Sequence, residues 1–115
     1  MPSLIACNRG DIILVPFQFT RGPQSKKRPV VVVSVADYHA ARADVVAVAL
    51  TTNLDRSYFG DCLIEDWDQA GLPMPSMAKG VVATFERSII ERRLGSLSEA
   101  DLVRLETCLR EILGL

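Results

Sequence analysis

Lys26-Lys27-Arg28-Pro29-Val30-Val31-Val32-Val33-Ser34-Val35 joins three consecutive cations, through Pro29, to a stretch dominated by β-branched valines. Branching at Cβ stiffens χ1 and suits a pleated, packed backbone, so residues 29–35 are predicted as a buried strand with Pro29 tolerated at its first position. The cations then stand at the rim of that strand. Before them, residues 18–28 hold Thr20, Gly22, Pro23 and Ser25 without helical period and read as an exposed loop. Further back, Gly10-Asp11 opens a strand over residues 12–17 whose near-continuous apolar character fits burial on both faces or a place in a small closed barrel. Pro16 marks its far end as an edge or a bend.

Downstream, residues 36–43 are small and polar and allow one helical turn. Residues 44–52 form a third strand, in which Val46, Val48 and Leu50 alternate with Ala47 and Ala49 before Thr51-Thr52-Asn53. Residues 54–60 read as loop, 61–65 as a short strand, and 66–75 as irregular because Pro73 and Pro75 can continue neither helix nor ladder. Residues 76–85 are a strand with a bulge or close approach at Gly80, and 88–94 a further short strand. The clearest helix begins at Ser98 as N-cap, with Glu99 and Asp101 in its first turn. Leu102, Leu105, Leu109, Ile112 and Leu113 make its apolar stripe, Glu106 and Arg110 are spaced to pair, and Gly114 ends it. Short strands followed by one helix imply a mainly β (α+β) domain, a small barrel or strongly bent sheet of mostly antiparallel strands with the helix packed on it.

At 115 residues the chain is one domain, 1–115, able to bury a core without disulfides or a structural metal. Nearly half of it is apolar and charge is moderate, which excludes a disordered tail or a coiled coil. The start lacks the leader pattern of a secreted protein and no apolar run is long enough to span a membrane, so a cytoplasmic location without membrane association is expected. Cys7, Cys62 and Cys108 are odd in number and far apart, and read as reduced, buried thiols. The net charge of −1 conceals a basic first third: residues 1–42 carry six Lys/Arg and two Asp/Glu, whereas 43–75 carry one Arg and six acids. A local positive surface follows, and on charge alone a solvated face without a partner fits equally well.

One histidine rules out the familiar hydrolytic zinc arrangements. Asp55, Asp61, Glu65, Asp66 and Asp68 lack a recognised spacing for magnesium, and no nucleophile elbow, phosphate loop or dinucleotide fingerprint is present, so no cofactor or metal is assigned. His39 reads as a surface histidine in a helical turn rather than an acid or base, and Trp67 as core rather than a stacking platform. The pairing of Arg28 with Thr51 carries more. If the second and third strands are antiparallel neighbours joined through residues 36–43, the start of one lies beside the end of the other and both side chains meet at one rim. A guanidinium grips two phosphate oxygens and a hydroxyl holds a third, an arrangement suited to RNA cleavage by internal attack of the 2′-hydroxyl; an inert rim is the alternative.

These residues resemble a known family. Gly10-Asp11-Ile12 leading to Val15-Pro16-Phe17, Lys27-Arg28-Pro29-Val30, the strand end Leu50-Thr51-Thr52, Gly71-Leu72-Pro73 with Pro75-Ser76, Ala83-Thr84, and Leu94-Gly95-Ser96-Leu97 before the last helix are similar, in order and spacing, to the MazF/PemK toxins of toxin-antitoxin systems. The resemblance implies an SH3-like barrel with a C-terminal helix. It also implies a homodimer, and a metal-independent endoribonuclease that cuts single-stranded RNA, mRNA included, at a short sequence to leave 2′,3′-cyclic phosphate and 5′-hydroxyl ends. A cognate antitoxin with an acidic C-terminal segment is implied as partner. The family's arginine before proline falls on Arg28 and its strand-end threonine on Thr51, the catalytic pair. Lys26, Lys27, Thr52, Lys79 and the loop of residues 18–25, with Gln24, are implied to contact RNA.

Two departures stand out. Relatives carrying Gly-Ser-Glu-Gln or Gly-His-Glu-Gln before the arginine differ from Gly22-Pro23-Gln24-Ser25 here, and the His and Asp of relatives that use a loop His with a later Arg and Asp are absent, Lys79 and Val81 standing where the later pair would fall. Two other readings remain on the same fold: a gyrase poison of the CcdB type, which depends on an aromatic and apolar C-terminal end unlike Leu113-Gly114-Leu115, and an RNA- or antitoxin-binding module without catalysis.

Overall fold

The computed structural model describes residues 5–17 and 26–115. Its strands are β1 (Asp11–Phe17), β2 (Lys26–Val32), β3 (Asp44–Thr51), β4 (Cys62–Ile64), β5 (Ser76–Glu86) and β6 (Arg92–Ser96), with helices α1 (Ala36–Ala41) and α2 (Glu99–Leu113). The strands form one sheet in the order β4-β5-β3-β2-β1-β6, and every pairing is antiparallel. The sheet curls into a half-barrel. Its free end is approached by the turns of residues 66–72, where a Cβ on Gly71 would run into the Leu94 carbonyl and one on Gly95 into the Ala70 carbonyl. Backbone meets backbone there, and only glycine leaves room.

Strand alternation divides the apolar residues between two cores. Ile12, Val31, Val48 and Leu50 face Cys62, Ile64, Leu72, Leu97 and Leu105 of α2, whereas Ile13, Val15, Val30, Val32 and Ala47 face Cys7, Phe85 and Ile90. That is why β1 and the Val30–Val32 end of β2 are apolar almost throughout: both faces are covered there. Trp67 packs against the first core.

Helix α2 begins as its sequence demands, with Ser98 Oγ accepting the Asp101 N–H, and ends at Gly114 in the left-handed region, φ 69°. Asp101, fully buried, accepts the backbone N–H groups of Glu65 (3.1 Å) and Asp66 (2.9 Å) and pairs with Arg104, tying the helix start to the end of β4. In β5, Val82 pairs with Val48 and Ala78 with Leu50, so residues 79–81 stand opposite Ala49 alone: the bulge expected at Gly80 is present.

Four expectations need correction. β2 begins at Lys26 rather than Pro29 and ends at Val32, because residues 26–28 pair with Phe17, Pro16 and Val15 of β1. At its other end Val33 and Ser34 both donate to the Val46 carbonyl and end the regular ladder. Residues 87–89 are a 3₁₀ turn, and the last strand starts only at Arg92. His39 is not on the surface: it is 6% exposed, with Nε2 2.6 Å from Ser34 Oγ, which also accepts the Val46 N–H at 2.9 Å. Glu106 pairs with Arg9 (2.5 Å) across to the sheet instead of with Arg110.

Candidate functional site

The β2–β3 ladder stops at Val30 and Ala49, yet both strands continue, β2 outward to Lys26 and β3 to Thr51. Pro29, with no N–H to donate, is the first residue past the last pair. Beyond it the strands separate and leave a cleft of about 150 Å³ lined by Lys27, Arg28, Pro29, Leu50, Thr51, Thr52 and Ser76. Continued by two residues, the register that pairs Val30 with Ala49 sets Arg28 opposite Thr51. Arg28 pairs with Val15 on β1 and its Nε donates to the Phe17 carbonyl at 3.2 Å, fixing the guanidinium plane at the rim. Thr51 pairs with Met77 on β5, and its Oγ1 accepts the Asn53 N–H at 3.1 Å, turning the chain away from the sheet.

The cleft therefore brings together Lys27, Arg28, Thr51 and Thr52 of the predicted residues. Lys27 Nζ is held 2.6 Å from Glu91 Oε2. Lys26, pairing with Phe17, is exposed at the outer end of β2. Gln24 lies outside the described residues. Lys79 is not at the cleft; it lies 3.5 Å from Asp61 Oδ2 and 5.1 Å from the centre of the Tyr58 ring. Sequence reasoning passed over Tyr58 and Phe59, although two adjacent aromatics in a polar stretch were a usable signal.

Among the described residues the cleft is lined by two cations and no carboxylate or imidazole, so what it offers a ligand is charge stabilisation and hydrogen bonding. Two acids away from the cleft, Asp61 and Asp101, are engaged structurally. Burial raises the Asp61 carboxyl, but the N–H groups of Tyr58 and Gly80 and the Lys79 ammonium outweigh it and hold it below the usual range. Asp101 is likewise desolvated yet lowered by Asp66, Glu65 and Arg104. Among the described residues no group of three or more His, Cys, Asp or Glu side chains is arranged to hold a metal ion. Burial and the neighbouring Cys108 push the Cys62 thiol up to about 12, and burial raises Cys7 as well, so neither is a ready nucleophile. A larger groove of about 290 Å³ runs between α2 and the sheet, lined by Val33, Val46, Val82, Leu109, Leu113 and Leu115 with the Arg9–Glu106 pair, and it does not share a residue with the cleft.

The fold matches solved structures along nearly the whole chain. An endoribonuclease in complex with its cognate antitoxin, from a mycobacterial species, superposes with a TM-score of 0.79 at 24% identity, covering 96% of this chain and 97% of its own. Toxin MazF-mt6 of Mycobacterium tuberculosis gives 0.74 at 18% identity, covering 91% and 97%, and MazF of Deinococcus radiodurans 0.74 at 20%, covering 96% and 99%. Among curated protein sequences nothing matches. The sequence itself matches the family described as PemK-like, MazF-like toxin of type II toxin-antitoxin system over residues 8–113, from the turn before β1 to the end of α2. With the curled sheet, the C-terminal helix and a match spanning all of its elements, this chain belongs to the PemK-like, MazF-like toxin family of type II toxin-antitoxin systems.

Proposed function

We propose that the protein is a toxin that acts as an endoribonuclease on single-stranded RNA, with the β2–β3 cleft as its active site. The observation that carries the reading is the meeting of Arg28 and Thr51 where the two strands separate, in a chain of this family. In the proposed reaction the 2′-hydroxyl gives its proton to solvent water as its oxygen bonds to phosphorus, and the P–O5′ bond breaks as the departing oxygen takes a proton from water, leaving a 2′,3′-cyclic phosphate and a 5′-hydroxyl. Arg28 binds the non-bridging oxygens and offsets their growing charge, and Thr51 donates to a third oxygen. Neither a metal ion nor a protein nucleophile is required. Lys26, Lys27 and Thr52 hold the flanking backbone.

The same reading assigns a homodimer in the cytoplasm and a cognate antitoxin whose acidic C-terminal segment competes for the basic rim. Among the described residues no helix is long and apolar enough to cross a membrane.

The test is incubation with a defined pool of single-stranded RNA in EDTA, followed by mapping of the new ends. Cyclic phosphate and 5′-hydroxyl ends are expected. Intact RNA contradicts the nuclease reading, and cleavage only with Mg²⁺ contradicts the metal-free chemistry. Inhibition of DNA supercoiling with RNA left intact selects a gyrase poison.

A further inference from the structure

Tyr58 and Phe59 stand near the end of the segment that leaves the cleft after Thr51, and they are 60% and 77% exposed. A single exposed aromatic is ordinary, but this pair is held in place. The Asp61 side chain, itself buried, accepts the Tyr58 N–H at 2.8 Å through Oδ2 and the Gly80 N–H at 2.9 Å through Oδ1, and its own N–H donates to the Tyr58 carbonyl at 3.0 Å. Lys79, paired to the same carboxylate, places its ammonium against the Tyr58 ring. Gly60, at φ 90°, takes a conformation that L side chains rarely adopt, and a Cβ there would strike Ile112 of α2. At the other end of the segment, Thr51 Oγ1 and Asn53 Oδ1 accept the N–H groups of Asn53 and Asp55.

Two aromatic side chains kept in water on an anchored segment lose little conformational freedom when something stacks on them. We propose that Tyr58 and Phe59 form a stacking platform for an unpaired nucleobase of the strand held in the cleft, an inference that rests on the nuclease reading. The separation suits it. Thr51 pairs with Met77, and Gly80, beside which the Phe59 carbonyl lies, is three residues further along β5, about 10 Å along the strand at its usual rise, with the sideways step across β5 toward β4 in addition. A short run of nucleotides covers that distance. Arg56, exposed in the same segment, supplies a cation for the backbone, the combination of aromatic face and cation that single-strand binders use. The platform makes the base a few nucleotides from the cut a determinant of where the enzyme cleaves.

The test uses the preferred RNA of the wild-type protein, resynthesised with an abasic residue at each flanking position in turn. With wild-type protein one position away from the scissile bond is expected to lose about 10- to 100-fold in kcat/KM when its base is removed. Phe59→Ala is expected to lose a similar factor on intact RNA and to show no further loss on that abasic RNA, whereas Phe59→Leu, apolar but without a π face, behaves as Phe59→Ala. Thermal unfolding of both variants should match the wild type, because the side chain is mostly in water. Multiplying losses, or full activity of Phe59→Ala on intact RNA, overturn the platform while wild-type cleavage keeps the nuclease reading. A change in sedimentation of Phe59→Ala with unchanged cleavage overturns it in favour of a protein contact. If wild-type protein leaves all RNA intact, the nuclease reading fails and the platform with it.

Discussion

Arg28 and Thr51 sit on facing ends of β2 and β3 where the ladder between those strands has already stopped, so a cleft rather than a backbone hydrogen bond occupies the space between them. Each is anchored from behind, Arg28 by the Phe17 carbonyl and Thr51 by the Asn53 N–H. Neither of these two contacts crosses the cleft.

Thr51 offers the cleft a hydroxyl, and its loss should be chemical more than structural. Thr51→Val keeps the shape, removes an acceptor from the Asn53 N–H at a cost of about 1 kcal/mol, and lowers the single-turnover cleavage rate by about 10²-fold. Thr51→Ser keeps most of the rate. Quenched-flow cleavage alongside chemical denaturation separates the two effects.

The basic rim should make RNA binding salt-dependent. With a non-cleavable 2′-O-methyl RNA, fluorescence anisotropy should give a linear fall of log K with log salt, and Lys26→Ala should reduce the slope by about 0.7 for one lost phosphate contact. Glu91 holds Lys27 at 2.6 Å and competes with the phosphate, so Glu91→Gln should tighten binding at low salt.

Acid should unfold the protein in part through Asp61 and Asp101. Both carboxylates are held below their usual range in the fold, so their contribution is present above the unfolded value of about 3.9 and is lost as pH falls through the lower folded values. Asp101→Asn should cost about 1–3 kcal/mol at neutral pH, by weakening the acceptor of two part-buried N–H groups, and Asp61→Asn, whose N–H partners are exposed, about 1 kcal/mol or less; both should flatten the fall in stability below pH 4. Denaturant titrations across pH check the sign and the size.

The contact between the turns of residues 66–72 and β6 has no room for a side chain. Gly95→Ala would drive a methyl group into the Ala70 carbonyl and should cost about 3 kcal/mol or more, whereas Gly114→Ala, with nothing near its Cβ but a left-handed backbone, should cost about 1 kcal/mol. Equilibrium unfolding of the two variants makes the comparison.

Much of this architecture was legible because it rests on local chemistry. The alternation in β3, the Ser98 cap and Gly114 stop of α2, and the bulge at Gly80 are written in single residues or a period of two. The start of β2 was not, since three cations resemble a loop until β1 supplies partners for residues 26–28. His39 looked like a surface residue because its partner, Ser34, comes from the bend ahead of α1, and Glu106 looked like a helix-surface acid because Arg9 comes from the turn before β1. The Arg28–Thr51 meeting was legible from topology alone: a short connection makes β2 and β3 antiparallel neighbours, and that places a strand start beside a strand end. What held Lys79 away from the cleft, the buried Asp61, could be found only once the segment after Thr51 was folded back on β5.

The most direct test of the cleft as the seat of RNA cleavage is the single-turnover rate of Arg28→Ala against wild type on one single-stranded RNA in EDTA, with the fold of the variant checked by circular dichroism. Removal of the guanidinium should lower the rate by about 10³-fold or more while the variant stays folded. A folded Arg28→Ala protein that cuts the same RNA at the wild-type rate would place the chemistry elsewhere.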